Sequence, residues 1–133
     1  MIYKITKCRL AWETVIPELN RAWTKVTNFK DNLENTSLTI TTTMVISQRD
    51  YYNTKKTQLT NFNTNYGTWF DSTFPDWASQ MDGVILSLGN IIDHINTMIE
   101  TNYWDTETGK PIITDVSQAH RNQLAIHIGD ESA

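Results

Sequence analysis

The longest regular pattern in the chain runs from Trp77 to Met98, with apolar residues at Trp77, Met81, Val84, Leu88, Ile91, Ile95 and Met98. Their alternating four- and three-residue steps wind a stripe along one side of an α-helix, as in a coiled-coil or bundle seam. Ile85, Ile92 and Ile99 make a second column beside the first, so the stripe is wider than a two-helix seam. Asp82, Asn90, Asp93, Asn96, Thr97 and Glu100 occupy the other side, which therefore faces water. A helix over 76–101 with such a face needs neighbours, from its own chain or from further copies.

Two more ladders share this period. Trp12, Val15, Leu19, Ala22, Val26, Phe29 and Leu33 predict a helix over 16–35, starting near Pro17, whose missing amide is tolerated in a first turn. Tyr52, Leu59, Phe62, Tyr66 and Trp69 predict another over 48–70, ended by Phe74-Pro75. Leu19, Val26, Phe29, Leu33, Leu59, Phe62, Tyr66 and Trp69 thus make a secondary packing face. Between these ladders the period changes. Leu38, Ile40, Thr42, Met44 and Ile46 alternate with Thr39, Thr41, Thr43 and Val45, which is strand spacing in β-branched residues. Extended structure is expected over 37–46.

The flanks are simpler. Residues 1–11 read as an N-terminal arm or short strand, followed by a helical body over 12–101. Residues 102–133 read as a turn and a small C-terminal helix. That turn is the polar run Asp105 to Lys110, and Pro111, Ile112 and Ile113 look extended. Asp115 with Gln118 makes a capping-box-like pair, Val116, Ala119, Leu124 and Ile128 give the last helix an apolar side, and Gly129 ends it. The fold class is therefore mainly α: heptad-patterned helices in a coiled coil or helical bundle, forming a single elongated module.

Charge adds an asymmetry. Through Lys56 the chain has nine Lys or Arg against five Asp or Glu; beyond it, two against ten. Complementary halves could attract within a fold or between copies. The net charge of −4 argues against nucleic acid as a partner, because phosphate binding needs a basic surface. The aromatic-rich region from Tyr51 to Trp77 has no basic residue after Lys56, so stacking on single strands is excluded in the same way. Val84–Ile99 is too short and too polar to span a bilayer, and no ordinary signal peptide is visible at the N-terminus.

Candidate chemistry is sparse. A single cysteine, Cys8, excludes an intrachain disulfide and a cysteine-based zinc site. His120 and His127 lie two helical turns apart, too far to share a metal without another segment, and His94 reads as a boundary residue. Gly109-Lys110 lacks the earlier glycine and following hydroxyl of a phosphate loop. No enzyme, cofactor or metal is expected.

The run Leu59-Thr60-Asn61-Phe62-Asn63-Thr64-Asn65-Tyr66-Gly67-Thr68-Trp69-Phe70 resembles helical connector segments of bacteriophage tail-fibre and baseplate-appendage proteins, over about a third of the chain. The resemblance implies a structural virion protein, often trimeric, that acts as a tail, baseplate or neck adaptor. Tyr103 and Glu107 have the Tyr-x-x-x-Glu spacing of small secreted helical-hairpin proteins of Gram-positive secretion systems, without their central Trp-x-Gly turn. A cytoplasmic helical inhibitor or regulatory binding protein is the third reading.

In the virion reading the partners are further copies of the chain and other virion proteins, with neither nucleic acid nor membrane involved. Trp77, Met81, Val84, Ile85, Leu88, Ile91, Ile92, Ile95, Met98 and Ile99 are the expected oligomer interface. Leu88 at an a position and Ile91 at d favour more than two strands, and Gln80, Ser87, His94 and Thr101 at the flanking positions carry no dimer-enforcing charge pairs. A trimer is expected; an intrachain bundle that covers the same stripe is the alternative.

Overall fold

The computed structural model describes residues 2–105, 107–108 and 110–132; the side chains of residues 1–9, Trp12 and Trp77 are among those outside the description. Helix α1 spans Ile2–Glu34, α2 Thr42–Thr73, α3 Pro75–Met98 and α4 Gln118–Ser132. A π-helical turn, Ile99–Tyr103, extends α3 and leads into a two-stranded ribbon of β1 (Trp104–Asp105) and β2 (Lys110–Pro111).

The expected N-terminal arm is continuous with α1. An arm without a partner strand would leave its backbone N–H and C=O groups unbonded, whereas a helix satisfies them internally. Pro17 consequently lies inside α1 rather than at its start, and supplies no amide to the ladder there. The end of α1 at Glu34 agrees with the loosening expected from Asn35, Thr36 and Ser37, where the Asn35 side chain accepts the Ser37 amide at 3.0 Å.

The Thr-rich stretch departs from its predicted extended form. Only residues up to Thr41 are non-helical; α2 starts at Thr42. Thr41 is its N-cap, with Oγ1 accepting the Met44 amide at 3.2 Å. Thr42 turns inward, buried, and donates its hydroxyl to the Ile113 carbonyl at 2.7 Å. Alternation then fails, because Ile40 and Val45 are buried while Leu38 and Met44 are exposed. Threonine's low helix propensity is overridden by one capping bond and one long-range bond. Further along, Thr54, Thr57, Thr60 and Thr64 each donate to the carbonyl four residues back, so their hydroxyls run with the helix instead of competing with it.

Phe74 alone separates α2 from α3, with Pro75 at the first helical position. Cross-links between these helices step in opposite directions along the chain: Arg49 to Asn96 at 3.1 Å and Asn63 to Asp82 at 2.8 Å. The hairpin is therefore antiparallel. Helix α1 packs on α2 and α4, and α4 also packs on α3. Gly129 of α4 faces Lys30 of α1, and Arg121 reaches Leu33, so that pair is antiparallel as well. The result is an up-down-up-down helical bundle.

Gly129 does not end α4, which runs on to Ser132. A Cβ at Gly129 would meet Lys30 Cε at 3.2 Å, so the glycine permits close approach of α4 to α1. The cap of α4 also differs from expectation. Ser117 Oγ accepts the His120 amide at 3.3 Å, while Asp115 forms an isolated antiparallel bridge with Thr41. The polar turn agrees with its prediction: the Asp105 carboxylate accepts the Glu107 and Thr108 amides at 2.9 and 3.3 Å.

The core is filled from all four helices. Val26, Phe29 and Leu33 meet Tyr52, Leu59 and Phe62, then Met81, Leu88, Ile91, Ile95 and Ile99, then Leu124 and Ile128. Phe62 and Phe70 pack edge to face at 5.3 Å between centroids. Tyr52 is fully buried and its hydroxyl has no hydrogen-bond partner among the described residues; burial pushes that hydroxyl's pKa well above the ordinary tyrosine value. Replacing it with phenylalanine should stabilise the fold by about 1 kcal/mol, because an unsatisfied buried polar atom is removed without changing the ring. The sign of the pH effect follows from the raised value. Tyr52's share of stability is complete below the unfolded tyrosine pKa and is lost as pH rises above it, so Tyr52→Phe should flatten the alkaline limb of a urea-midpoint profile. A lower urea midpoint for Tyr52→Phe at pH 7 would refute the assignment.

Candidate functional site

The stripe that dominates the sequence is spent inside the chain. Met81, Leu88, Ile91, Ile92, Ile95 and Ile99 are buried, and Val84, Ile85 and Met98 are partly buried against the same core; Trp77 falls outside the described side chains. On the secondary face Val26, Phe29, Leu33, Leu59 and Phe62 are buried, while Leu19, Tyr66 and Trp69 pack partly buried at its edge. Within the described residues, the wide stripe is thus covered by the chain's own helices. A seam between copies along 77–99 would require those helices to move aside.

The chemistry-bearing side chains gather instead where α3, the π-turn and α4 meet. The π-turn admits one residue more than an α-turn. It carries Tyr103 into the interior, and the Trp104 amide closes the turn on the Ile99 carbonyl. The Tyr103 hydroxyl accepts the Ser117 amide at 3.1 Å and lies 3.0 Å from Ser117 Oγ. It also hydrogen-bonds His120 Nδ1, which is 2.9 Å from Ser117 Oγ. The Tyr103 and His120 rings meet edge to face at 5.1 Å.

On the other wall, His94 of α3 and His127 of α4 stack face to face, with centroids 3.6 Å apart and planes 10° from parallel. A cavity of about 200 Å³ lies among His94, Thr97, Met98, His120, Gln123, Leu124 and His127. All three histidines of the chain therefore line one cavity. From the sequence, His120 and His127 lacked a third segment; α3 supplies it in His94.

This geometry restricts the chemistry available. Parallel stacked imidazoles send their in-plane lone pairs past one another rather than toward one ion. Among the described residues, no group of three or more His, Cys, Asp or Glu is placed to hold a metal. Ser117 Oγ next to His120 has the spacing of a nucleophile and base. That oxygen, however, caps α4, and the Ser117 amide that could steady an oxyanion is committed to Tyr103.

A second polar cluster ties α4 to α1. Arg121 is buried beneath the loop between α1 and α2, and its guanidinium donates to four carbonyls. Nε reaches Leu33 at 3.1 Å, Nη1 reaches Leu38 at 2.7 Å, and Nη2 reaches Asn32 and Asn35 at 3.0 and 2.7 Å. These carbonyls lie at and just past the end of α1, where Asn32 also accepts the Asn35 amide at 3.2 Å and Asn35 the Leu38 amide at 3.1 Å, and a cation is favoured at a helix C-terminus. The charge is matched by peptide dipoles rather than by a carboxylate.

The charge asymmetry of the sequence is not expressed as pairing between its halves: ion pairs between described side chains fall within residues 18–55. Lys55 crosses from α2 to Glu18 of α1, and its hydrogen bond holds the Glu18 carboxyl below the ordinary carboxylate range.

Large apolar side chains are exposed at Leu10, Leu38, Met44, Phe74, Leu86, Ile112, Ile113 and Ile126, and four of them lie where the loop after α1 meets the segment before α4. Leu38, Met44, Ile112 and Ile113 are exposed on two segments bound together by the Thr42 amide to the Thr114 carbonyl at 2.7 Å and the Val116 amide to the Ile40 carbonyl at 2.8 Å. Tyr103, half of the secretion-like pair with Glu107, is buried while Glu107 is exposed on the ribbon turn. Among the described residues, no helix is long and apolar enough to cross a membrane. Comparison with known proteins gives no match to a family model, a curated protein or a solved structure.

Proposed function

We propose that this chain is a non-catalytic docking module, a structural adaptor of the phage tail, baseplate or neck kind that works by binding other virion proteins. The observation that carries the docking role is the exposed apolar set Leu38, Met44, Ile112 and Ile113, on the stretch from the loop after α1 into the first turn of α2 and on the segment before α4 that backbone hydrogen bonds join to it. Exposed apolar side chains on adjoining segments mark a contact site more often than ones scattered singly do. Phage membership rests on the likeness of 59–70 to tail connector segments. Within α2 this run buries Leu59, Phe62 and Phe70 and turns Thr60, Asn61, Thr64 and Asn65 to solvent, as a connector helix with one packed side would. Self-association as a trimer belongs to the same proposal. With the described part of the stripe, Met81 to Ile99, covered, contacts between copies would run through the exposed end.

The test joins gene context to binding. Proteins encoded beside this one are co-expressed with it, and complexes are sized by chromatography with light scattering. Co-elution with a tail, baseplate or neck protein is expected, and the double variant Leu38→Ser, Ile113→Ser should lose it while keeping the wild-type far-ultraviolet spectrum. Neighbouring genes of unrelated metabolic function, or full binding by the double variant, would refute the proposal.

A further inference from the structure

We propose that the groove between α1 and α2 binds an acidic peptide in extended form, a use that goes beyond the docking role above and occupies a different surface. The groove has a volume of about 580 Å³, the size of an ordinary ligand cleft, and its wall on α1 carries Asn20, Thr24, Asn28 and Asn32. All four are exposed and stand one helical turn apart. Asparagine is a poor helix former, because its amide competes for backbone groups. These amides serve nothing inside the chain. Thr14 and Thr27 of the same helix bond back to a carbonyl, whereas the side chains of Asn20, Thr24, Asn28 and Asn32 make no hydrogen bond among the described residues.

The spacing points to the ligand. Four residues of α-helix rise about 6.0 Å, and two residues of an extended strand rise about 6.7 Å. A peptide laid along α1 therefore presents every second residue's N–H and C=O to the ladder at nearly the ladder's own interval. An asparagine amide donates and accepts at once, so one side chain can serve both groups. From Asn20 to Asn32 the ladder rises about 18 Å, which spans about five extended residues. The drift of about 0.7 Å per step stays within side-chain reach over three steps.

Charge selects an acidic sequence. Arg21 and Lys25, again one turn apart, line the groove, and no Asp or Glu does. Arg21 is shared with Glu18, which also takes Lys55. Lys25 has no carboxylate partner among the described residues; its ammonium rests 4.2 Å from the centre of the Tyr51 ring, which steadies it at the groove. Alternate side chains of a strand point the same way, so acids two residues apart meet both cations. On the α2 wall, Gln48 Oε1 is buried with no donor among the described residues. A half-turn of that amide brings the oxygen to the groove, where a peptide N–H supplies the donor. Single-stranded nucleic acid fits less well, because Lys25 and Lys55 already sit over the Tyr51 ring and leave no bare aromatic face for stacking.

The test is calorimetric titration of the full chain with the N-acetylated, C-amidated peptide Thr-Glu-Thr-Glu-Thr-Glu at low salt. Saturable one-to-one binding is expected. The same peptide with every backbone amide N-methylated keeps its charge, loses its donors and should bind about tenfold more weakly. The double variant Asn20→Ala, Asn28→Ala should also bind about tenfold more weakly. Its unliganded thermal midpoint should nevertheless rise by about 3 °C, since alanine is the better helix former. Lys25→Gln should weaken binding about fivefold and reduce its dependence on salt. The variant Leu38→Ser, Ile113→Ser should bind this peptide as wild type does, which keeps the result apart from the test of the docking surface. Absence of saturable binding at millimolar peptide, equal binding of the N-methylated peptide, or full binding by the double asparagine variant would overturn the proposal. So would a thymidine decanucleotide that binds more tightly and displaces the peptide.

Discussion

Replacing Arg121 with methionine should destabilise the protein by about 4 kcal/mol, read as a large fall in the urea midpoint with little change in the slope of the transition. Methionine keeps most of the buried stem but leaves the carbonyls of Asn32, Leu33, Asn35 and Leu38 without the guanidinium that serves them. Hydrogen bonds from a charged donor are each worth about 1.5–3 kcal/mol, and several on one group do not add fully, so about 4 kcal/mol lies within the expected range. Arg121→Lys should recover only part of the loss, because an ammonium cannot spread donors across four acceptors as a planar fork can. A methionine variant within about 0.5 kcal/mol of wild type would show that the carbonyls find water instead.

Ile91→Asp should have the second large effect. Ile91 is fully buried in the middle of α3, so the carboxylate would enter a packed apolar core without a partner. The cost should reach about 5 kcal/mol or more, comparable with the whole stability of an ordinary domain. Far-ultraviolet circular dichroism should then show loss of most of the helix at room temperature. The outcome also separates two uses of the stripe. If it were a seam between independently folded copies, the variant would give smaller particles that keep their helix. Folded Ile91→Asp monomers would therefore refute the intrachain reading of this face.

What could be read from residues alone divides along a physical line. The helix carrying Trp77 to Met98 was legible because a stripe at helical period is a local signal that packing reinforces. The same pattern was silent about which chain covers the stripe, since apolar side chains meet a neighbour or a copy with equal affinity. Thr39 to Thr43 misled because intrinsic propensity speaks for extended structure, whereas Thr41 and Thr42 act through a cap and through a bond to Ile113, 71 residues away. The histidine corner was half legible. His120 and His127 were recognisable as one side of one helix, but His94 joins them only through the register between α3 and α4. Arg121 offered one faint signal, as one of two bases in the acid-rich part of the chain, and nothing in its local sequence told of its burial.

The bonds of Arg121 span 83 to 89 residues of chain. As the polypeptide leaves the ribosome, the hairpin of α2 and α3 can zip together as soon as its own residues emerge, because its contacts are local. The first helix has no such freedom at its far end. The guanidinium bonds to its last carbonyls form only when the final helix has been made and has folded back. Synthesis order and assembly order thus part company, and a chain stalled after Thr101 would hold a formed hairpin beside a frayed first helix. Completion of the last helix is the event that converts these pieces into one cooperative unit.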